Sequence, residues 1–142
     1  MATSVRILLA EDFEPWRRFL CSFFQQESTW QIIGQVADGL EAIEKSRGLQ
    51  PDVLLLDIGL PKLNGIEVAR QMHRAASCPK ILFFSENCCL EVVQEALRVG
   101  GHGYVVKSDA AYDLIPALKA IMKGQRFVSS RVARADSADD LK

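Results

Sequence analysis

Short apolar runs alternate along the chain with longer stretches in which apolar side chains recur every three or four residues. The first run, Val5–Ala10 (VRILLA), has the make-up of a strand, and after it Trp16, Leu20, Phe23 and Phe24 fall on one face of a helix. Trp30–Val36 alternates as a strand does. The stretch DGLEAIEKSRGL (38–49) carries Leu40 and Ile43 and closes on Gly48, in the manner of a capped helix. Val53–Leu56 is a continuous apolar run, the pattern of a strand covered on both faces. Beyond it the spacing predicts a helix over 64–74 with Ile66, Ala69 and Met72 inward, and a strand over 80–84. A helix over 90–99, a strand at Gly103–Val106 and a helix over 110–123 complete the series. Pro116 fits the last helix poorly, because an interior proline removes a backbone donor and crowds the preceding turn; that helix is expected to start near Tyr112 or to bend.

Five strands alternating with five helices through short connections call for helical crossovers between parallel neighbours. The fold class expected is α/β: a doubly wound, five-stranded parallel sheet in the flavodoxin-like order 2-1-3-4-5, with helices on both faces. After Gly124 the pattern dissolves, and 133–142 (ARADSADDLK) is small, polar and charged. The domain is therefore placed at 1–127, with 128–142 a tail or the start of a linker.

Composition narrows the classes. A chain of 142 residues holds one core, and its 49% hydrophobic and 25% charged residues are those of an ordinary globular protein. No run approaches the ~18 apolar residues of a membrane span, and Glu11, Asp12, Glu14, Arg17 and Arg18 interrupt the one candidate leader. A cytoplasmic protein is expected. A net charge of -1 with both signs dispersed offers no positive field for a nucleic-acid backbone, so this chain itself is expected not to bind one. Cys21, Cys78, Cys88 and Cys89 follow neither zinc-pair nor disulfide spacing and are expected to be reduced and structural.

In such a sheet, ligands sit at the carboxyl ends of the strands, where strand order reverses. Strand one ends in Glu11 and Asp12, strand three in Asp57, strand four in Ser85, and strand five just before Lys107. Taken singly, each has an ordinary reading: Asp57 as a helix cap or loop carboxylate, Glu11 and Asp12 as the start of the first helix, Ser85 as a cap of the fourth, Lys107 as a solvated lysine. Together they are chemically legible. Three crowded carboxylates need a cation, and a hard divalent ion such as Mg²⁺ suits carboxylates, waters and a phosphate oxygen. With that ion and the Lys107 ammonium neutralising charge, Asp57 is placed to attack phosphorus in line, and the Ser85 hydroxyl to donate to the new phosphoryl oxygens.

The acidic pair Glu11–Asp12, the D-x-x-L-P-x-x-N-G run from Asp57 to Gly65, Ser85, and G-Y-V-V-K from Gly103 to Lys107 resemble the receiver domain of bacterial two-component response regulators, over about residues 4–127. The resemblance implies that Asp57 accepts a phosphoryl group from a phosphohistidine on a sensor histidine kinase or phosphotransfer protein. It implies a Mg²⁺ cofactor held by Glu11, Asp12, Asp57 and the backbone carbonyl of Gly59, with Lys107 pairing with the phosphoryl group. Ser85 and Tyr104 would be switch residues, Ser85 moving toward the phosphate and Tyr104 swinging inward, to reshape the surface of helix 4, strand 5 and helix 5. Autophosphorylation and autodephosphorylation would be the only chemistry, without enzymatic turnover of a separate substrate. The end of the match, from Gly103 to Ala133, is similar to receivers that precede a LuxR-like helix-turn-helix; DNA binding would then belong to a further C-terminal domain, and a homodimer is a possible assembly.

Two positions depart from the family pattern. Glu86 follows Ser85 where a small residue is usual, and its carboxylate is expected to narrow or repel the approach of a phosphodonor. Gly59 offers no side chain to shield an acyl phosphate from water, a lack for which Asn87 would in part compensate. Tyr104 as plain sheet packing with its hydroxyl in water remains open beside the switch reading. His73 and His102 are expected at the surface, Trp16 and Trp30 in packing, and Asn64-Gly65 in a turn into helix three. The alternatives are a phosphate-independent docking module of receiver fold, and a phosphatase of the haloacid-dehalogenase type. The latter is disfavoured because its D-x-D belongs after the first strand, whereas Asp57-Ile58-Gly59 follows the third.

Overall fold

The computed structural model describes residues 4–75 and 78–132. Its elements are β1 (Val5–Ala10), α1 (Glu14–Gln25), β2 (Trp30–Val36), α2 (Gly39–Leu49), β3 (Val53–Leu56), α3 (Gly65–His73), β4 (Lys80–Ser85), α4 (Leu90–Arg98), β5 (Gly103–Val106), α5 (Ala110–Met122) and β6 (Phe127–Val128), with a 3₁₀ turn at Lys107–Asp109. All strand pairs are parallel, and the sheet runs β2-β1-β3-β4-β5-β6. The expected order holds, with one strand more than expected.

Why the strands read as unbroken apolar runs is clear from the two cores. Alternate side chains point to opposite faces of a strand. Leu8, Leu54, Leu56, Ile81 and Phe83 meet Ala42, Val68, Ala69, Met72 and Ala96 of α2, α3 and α4 on one face. Ile7, Leu9, Leu55, Leu82 and Phe84 meet Leu20, Phe24, Leu114, Leu118 and Ile121 of α1 and α5 on the other. A sheet covered on both faces leaves its strands no polar side.

Several local expectations are corrected. Gly48 lies inside α2, and it is Gln50, at φ 48°, that takes the left-handed position ending it. Arg6 on β1 makes this tolerable by donating to the carbonyls of Leu49 and Gln50, both at 2.9 Å. Leu40 is exposed, and Ala42, Ile43 and Ser46 form the buried face. The last helix begins at Ala110 and runs through Pro116. Pro116 and Tyr112 are both exposed, so the carbonyl that loses its helical donor lies on the solvent side, where water can serve it.

The boundary expected at 127 falls within β6, and the chain stays packed on the domain as far as Val132, which is buried. Ser129 is the reason: its backbone N–H donates to the Tyr104 carbonyl, and its hydroxyl accepts from the Val106 N–H at 2.9 Å while donating to Asp113 at 2.7 Å. The proposed tail at 133–142 lies outside the described residues. Among those residues no helix is long and apolar enough to cross a membrane.

Candidate functional site

Backbone ladders carry the strand ends past their last apolar residue. The Glu11 N–H donates to the Val36 carbonyl and the Asp57 N–H to the Ala10 carbonyl, both at 3.0 Å. Two acidic residues are thereby pinned side by side on adjacent strands, at the edge where the strand order reverses. Asp57 is not a helix cap, since Asn64 caps α3 by accepting from the Glu67 N–H. Nor does Ser85 cap α4, whose cap residue is Cys89; the Ser85 hydroxyl instead accepts from the Asn87 N–H at 3.1 Å. Asn64-Gly65 leads into α3 as expected, with Asn64 the cap and Gly65 the first helical residue.

The predicted residues converge. Glu11, Asp12, Asp57, Gly59, Ser85, Glu86 and Lys107 line one open cavity of ≈ 390 Å³, together with Phe13, Trp16, Ile58 and Asn87. Carboxylate oxygens of Glu11, Asp12 and Asp57 all lie within 4.8 Å of one another. Three hard carboxylate donors clustered in one polar cavity suit a hard divalent cation such as Mg²⁺, with Asp12 the exposed member.

Lys107 is buried, 6% exposed, which is rare for a lysine unless it is paired. Its Nζ stands 2.6 Å from Glu11 Oε1 and 3.4 Å from Asp57 Oδ2. The Glu11–Lys107 contact is a buried ion pair; the other carboxylate oxygen, Oε2, accepts from the Phe13 N–H at 3.0 Å. Burial nevertheless pushes the Glu11 carboxyl above its usual range, helped by the nearby Asp57 charge and opposed by Lys107 and the Phe13 N–H.

Tyr104 is fully buried, with its ring stacked on Phe83. Its hydroxyl donates to the Asn87 carbonyl at 2.6 Å, and burial holds the phenol above its ordinary pKa, with Ser85 beside it partly offsetting the rise. Asn87 thus joins the Ser85 loop to Tyr104. Glu86 is exposed at the cavity wall. His102 is half-buried rather than at the surface: its Nδ1 accepts from the Ile81 N–H at 2.9 Å, remote from the acidic cavity, while His73 is exposed as expected. Cys21, Cys78, Cys88 and Cys89 are free thiols; burial raises the pKa of Cys21 and Cys78, and Cys89 is exposed rather than structural packing.

Trp30 is core, as expected, but sequence reasoning missed part of what Trp16 does. Its ring packs edge-on against Phe84 and lies 5.4 Å from Lys107 Nζ. The available signal was its place in the first turn of α1, five residues after Glu11, which sets it beside the end of β1.

A parallel sheet with three carboxylates and a buried lysine at its switch point defines a receiver-type signalling domain. Residues 7–119 match the response regulator receiver domain family, and the chain belongs to that family. The transcriptional regulatory protein LiaR of Bacillus subtilis (strain 168) is 31% identical over 129 residues, 91% of this chain and 61% of LiaR. The response regulator GacA of Pseudomonas viridiflava is 29% identical over 132 residues, 92% of this chain and 61% of GacA. The chain therefore spans about three fifths of the length of these relatives. A crystal structure of a two-component response regulator of the LuxR family, from Aurantimonas sp. SI85-9A1, superposes with a TM-score of 0.90 at 26% identity, covering 99% of this chain and 100% of that one. The likeness to LuxR-type receivers stated above is matched by this neighbour.

Proposed function

We propose that Asp57 accepts a phosphoryl group from a phosphohistidine on a sensor histidine kinase or phosphotransfer protein, and that the α4/β5/α5 surface responds to control an output. The observation that carries this reading is the Lys107 ammonium 3.4 Å from Asp57 in the same cavity as Glu11 and Asp12. A carboxylate oxygen of Asp57 forms the new P–O bond as the P–N bond to the donor imidazole breaks, and the leaving imidazole takes up a proton. Lys107 meets the charge on the transferred group, and the Ser85 hydroxyl donates to one of its oxygens. Glu11, Asp12, Asp57 and the Gly59 carbonyl would hold Mg²⁺, which supplies charge neutralisation at the phosphoryl oxygens when bound. The chain modifies itself and turns over no separate substrate.

Glu86, exposed at the cavity wall, tunes the approach of an anionic donor. Its carboxylate also favours the second reading, a receiver that docks without phosphorylation. A cytoplasmic setting accords with a kinase-fed site. Transcriptional control, named for LiaR, would belong to a longer protein carrying this domain, with pairing of two copies as a further step. Incubation with acetyl phosphate and Mg²⁺ followed by intact-mass measurement tests the first reading. One labile phosphoryl adduct in the parent, lost in Asp57→Asn, is expected; an unmodified parent would favour the docking module.

A further inference from the structure

Lys107 has neighbours of two kinds. On one side stand the Glu11 and Asp57 carboxylates, at 2.6 and 3.4 Å. On the other, the ring centroids of Trp16 and Phe84 lie 5.4 and 5.5 Å from Nζ. The two rings brace one another edge to face at 5.3 Å, and Trp16 is held again by Phe19 at 5.5 Å. Phe84 is core and comes from β4; Trp16 is half-buried and comes from α1.

Trp16 also faces two cavities. One is the acidic pocket of ≈ 390 Å³. The other is an apolar groove of ≈ 500 Å³ between the first turns of α1 and α5, with Phe13, Pro15 and Phe19 on one wall and Ala110 and Ala111 on the other. Lys107 borders both. A lysine ammonium on its four-carbon stem seeks water, and the groove would offer it a second, hydrated position away from the carboxylates. The indole ring, 5.4 Å from Nζ, offers the cation a surface that attracts it through its quadrupole, so desolvation on this side costs less than an aliphatic wall would impose.

We propose that Trp16 is a positioning residue for phosphoryl transfer at Asp57: its ring, beside Nζ where Lys107 borders the groove, holds the ammonium on the carboxylate side. The inference rests on the phosphoacceptor reading for its kinetic consequence, but the placement of Lys107 is testable without it.

Three measurements on the full chain decide the matter. In the parent, the ε-methylene protons of Lys107 should resonate upfield of an ordinary lysine because of the two rings, a result that needs no variant. Limited acetylation with acetic anhydride, read by peptide mass spectrometry, should modify Lys107 roughly tenfold faster in Trp16→Leu and nearly as slowly as the parent in Trp16→Phe, which keeps a π face. The rate of Asp57 phosphorylation by acetyl phosphate should fall by a similar factor in Trp16→Leu and recover in Trp16→Phe. Should Trp16→Leu fail to give a cooperative melt, Trp16→Met replaces it. Unshifted ε-methylene protons, an equally protected Lys107 in Trp16→Leu, or a freed Lys107 with an unchanged phosphorylation rate would each overturn the proposal. A parent that takes no phosphoryl group would instead defeat the phosphoacceptor reading, leaving shift and acetylation to decide where Trp16 holds Lys107.

Discussion

A methyl group placed on Gly65 would stand 2.1 Å from the carbonyl oxygen of Asp57. The first residue of α3 is therefore pressed against the backbone of the candidate phosphoacceptor, and the Gly65 N–H donates to the Ile58 carbonyl at 2.7 Å. Neither partner can retreat, because the contact is backbone on backbone and Asp57 is itself bonded to β1. Gly65→Ala is expected to destabilise the fold by about 3 kcal/mol, the upper part of the range for overpacking. Gly59→Ala, which would meet nothing within 4 Å, should change stability by less than about 0.5 kcal/mol. Urea unfolding of the two variants makes the comparison, and equal midpoints would contradict it.

Removing the lysine charge should leave Glu11 and Asp57 buried against each other. Lys107→Met is expected to lose about 3 kcal/mol at neutral pH, as when one partner of a buried pair is taken away. Added Mg²⁺ should raise the melting temperature of this variant more than that of the parent, since the ion would relieve the repulsion that Lys107 otherwise offsets. A parent and variant with equal Mg²⁺ responses would argue against the cation site.

Burial holds the pKa of His102 below the usual histidine value of 6.5, with Lys80, His73 and Arg126 adding to the effect. Its Nδ1 accepts from the Ile81 N–H, so a proton there would break a bond at the start of β4. The folded chain binds this proton less readily than the unfolded one. Its contribution to stability is therefore complete above about pH 6.5 and declines as the pH falls below that value. His102→Asn should flatten the acid side of the stability profile measured by denaturant titration, whereas His73→Gln should leave most of the slope.

Ser129 is fully buried and serves two partners, the Val106 N–H and the Asp113 carboxylate. Ser129→Ala leaves the Val106 donor without its acceptor beneath β6, an expected loss of about 2 kcal/mol. Hydrogen exchange should show the Val106 amide losing protection in the variant; an unchanged rate would mean that the segment after α5 is held by other contacts.

How much of this was legible beforehand differs from element to element. Val53–Leu56 could only be a strand covered on both faces, and its exit into Asp57 marked the site, because apolar runs and strand ends are local properties. Gly48 misled because a glycine near a helix end usually terminates it; here Arg6, far away in sequence, supplies the donors that let Gln50 do so. Pro116 misled because its cost depends on whether water reaches the freed carbonyl. Phe127–Val128 was too short to register, and its pairing with β5 rests on the Ser129 contacts.

The order of elements, the doubly covered sheet and the acidic, hydroxyl and ammonium groups at its rim followed from residue pattern alone, since periodicity and strand ends are written locally. That Lys107 pairs most closely with Glu11, that Tyr104 lies inward under Asn87, and that Trp16 stands beside the lysine were settled by packing. Each depends on side chains brought from separate strands and helices, and their distances exist only once the sheet has closed on both cores.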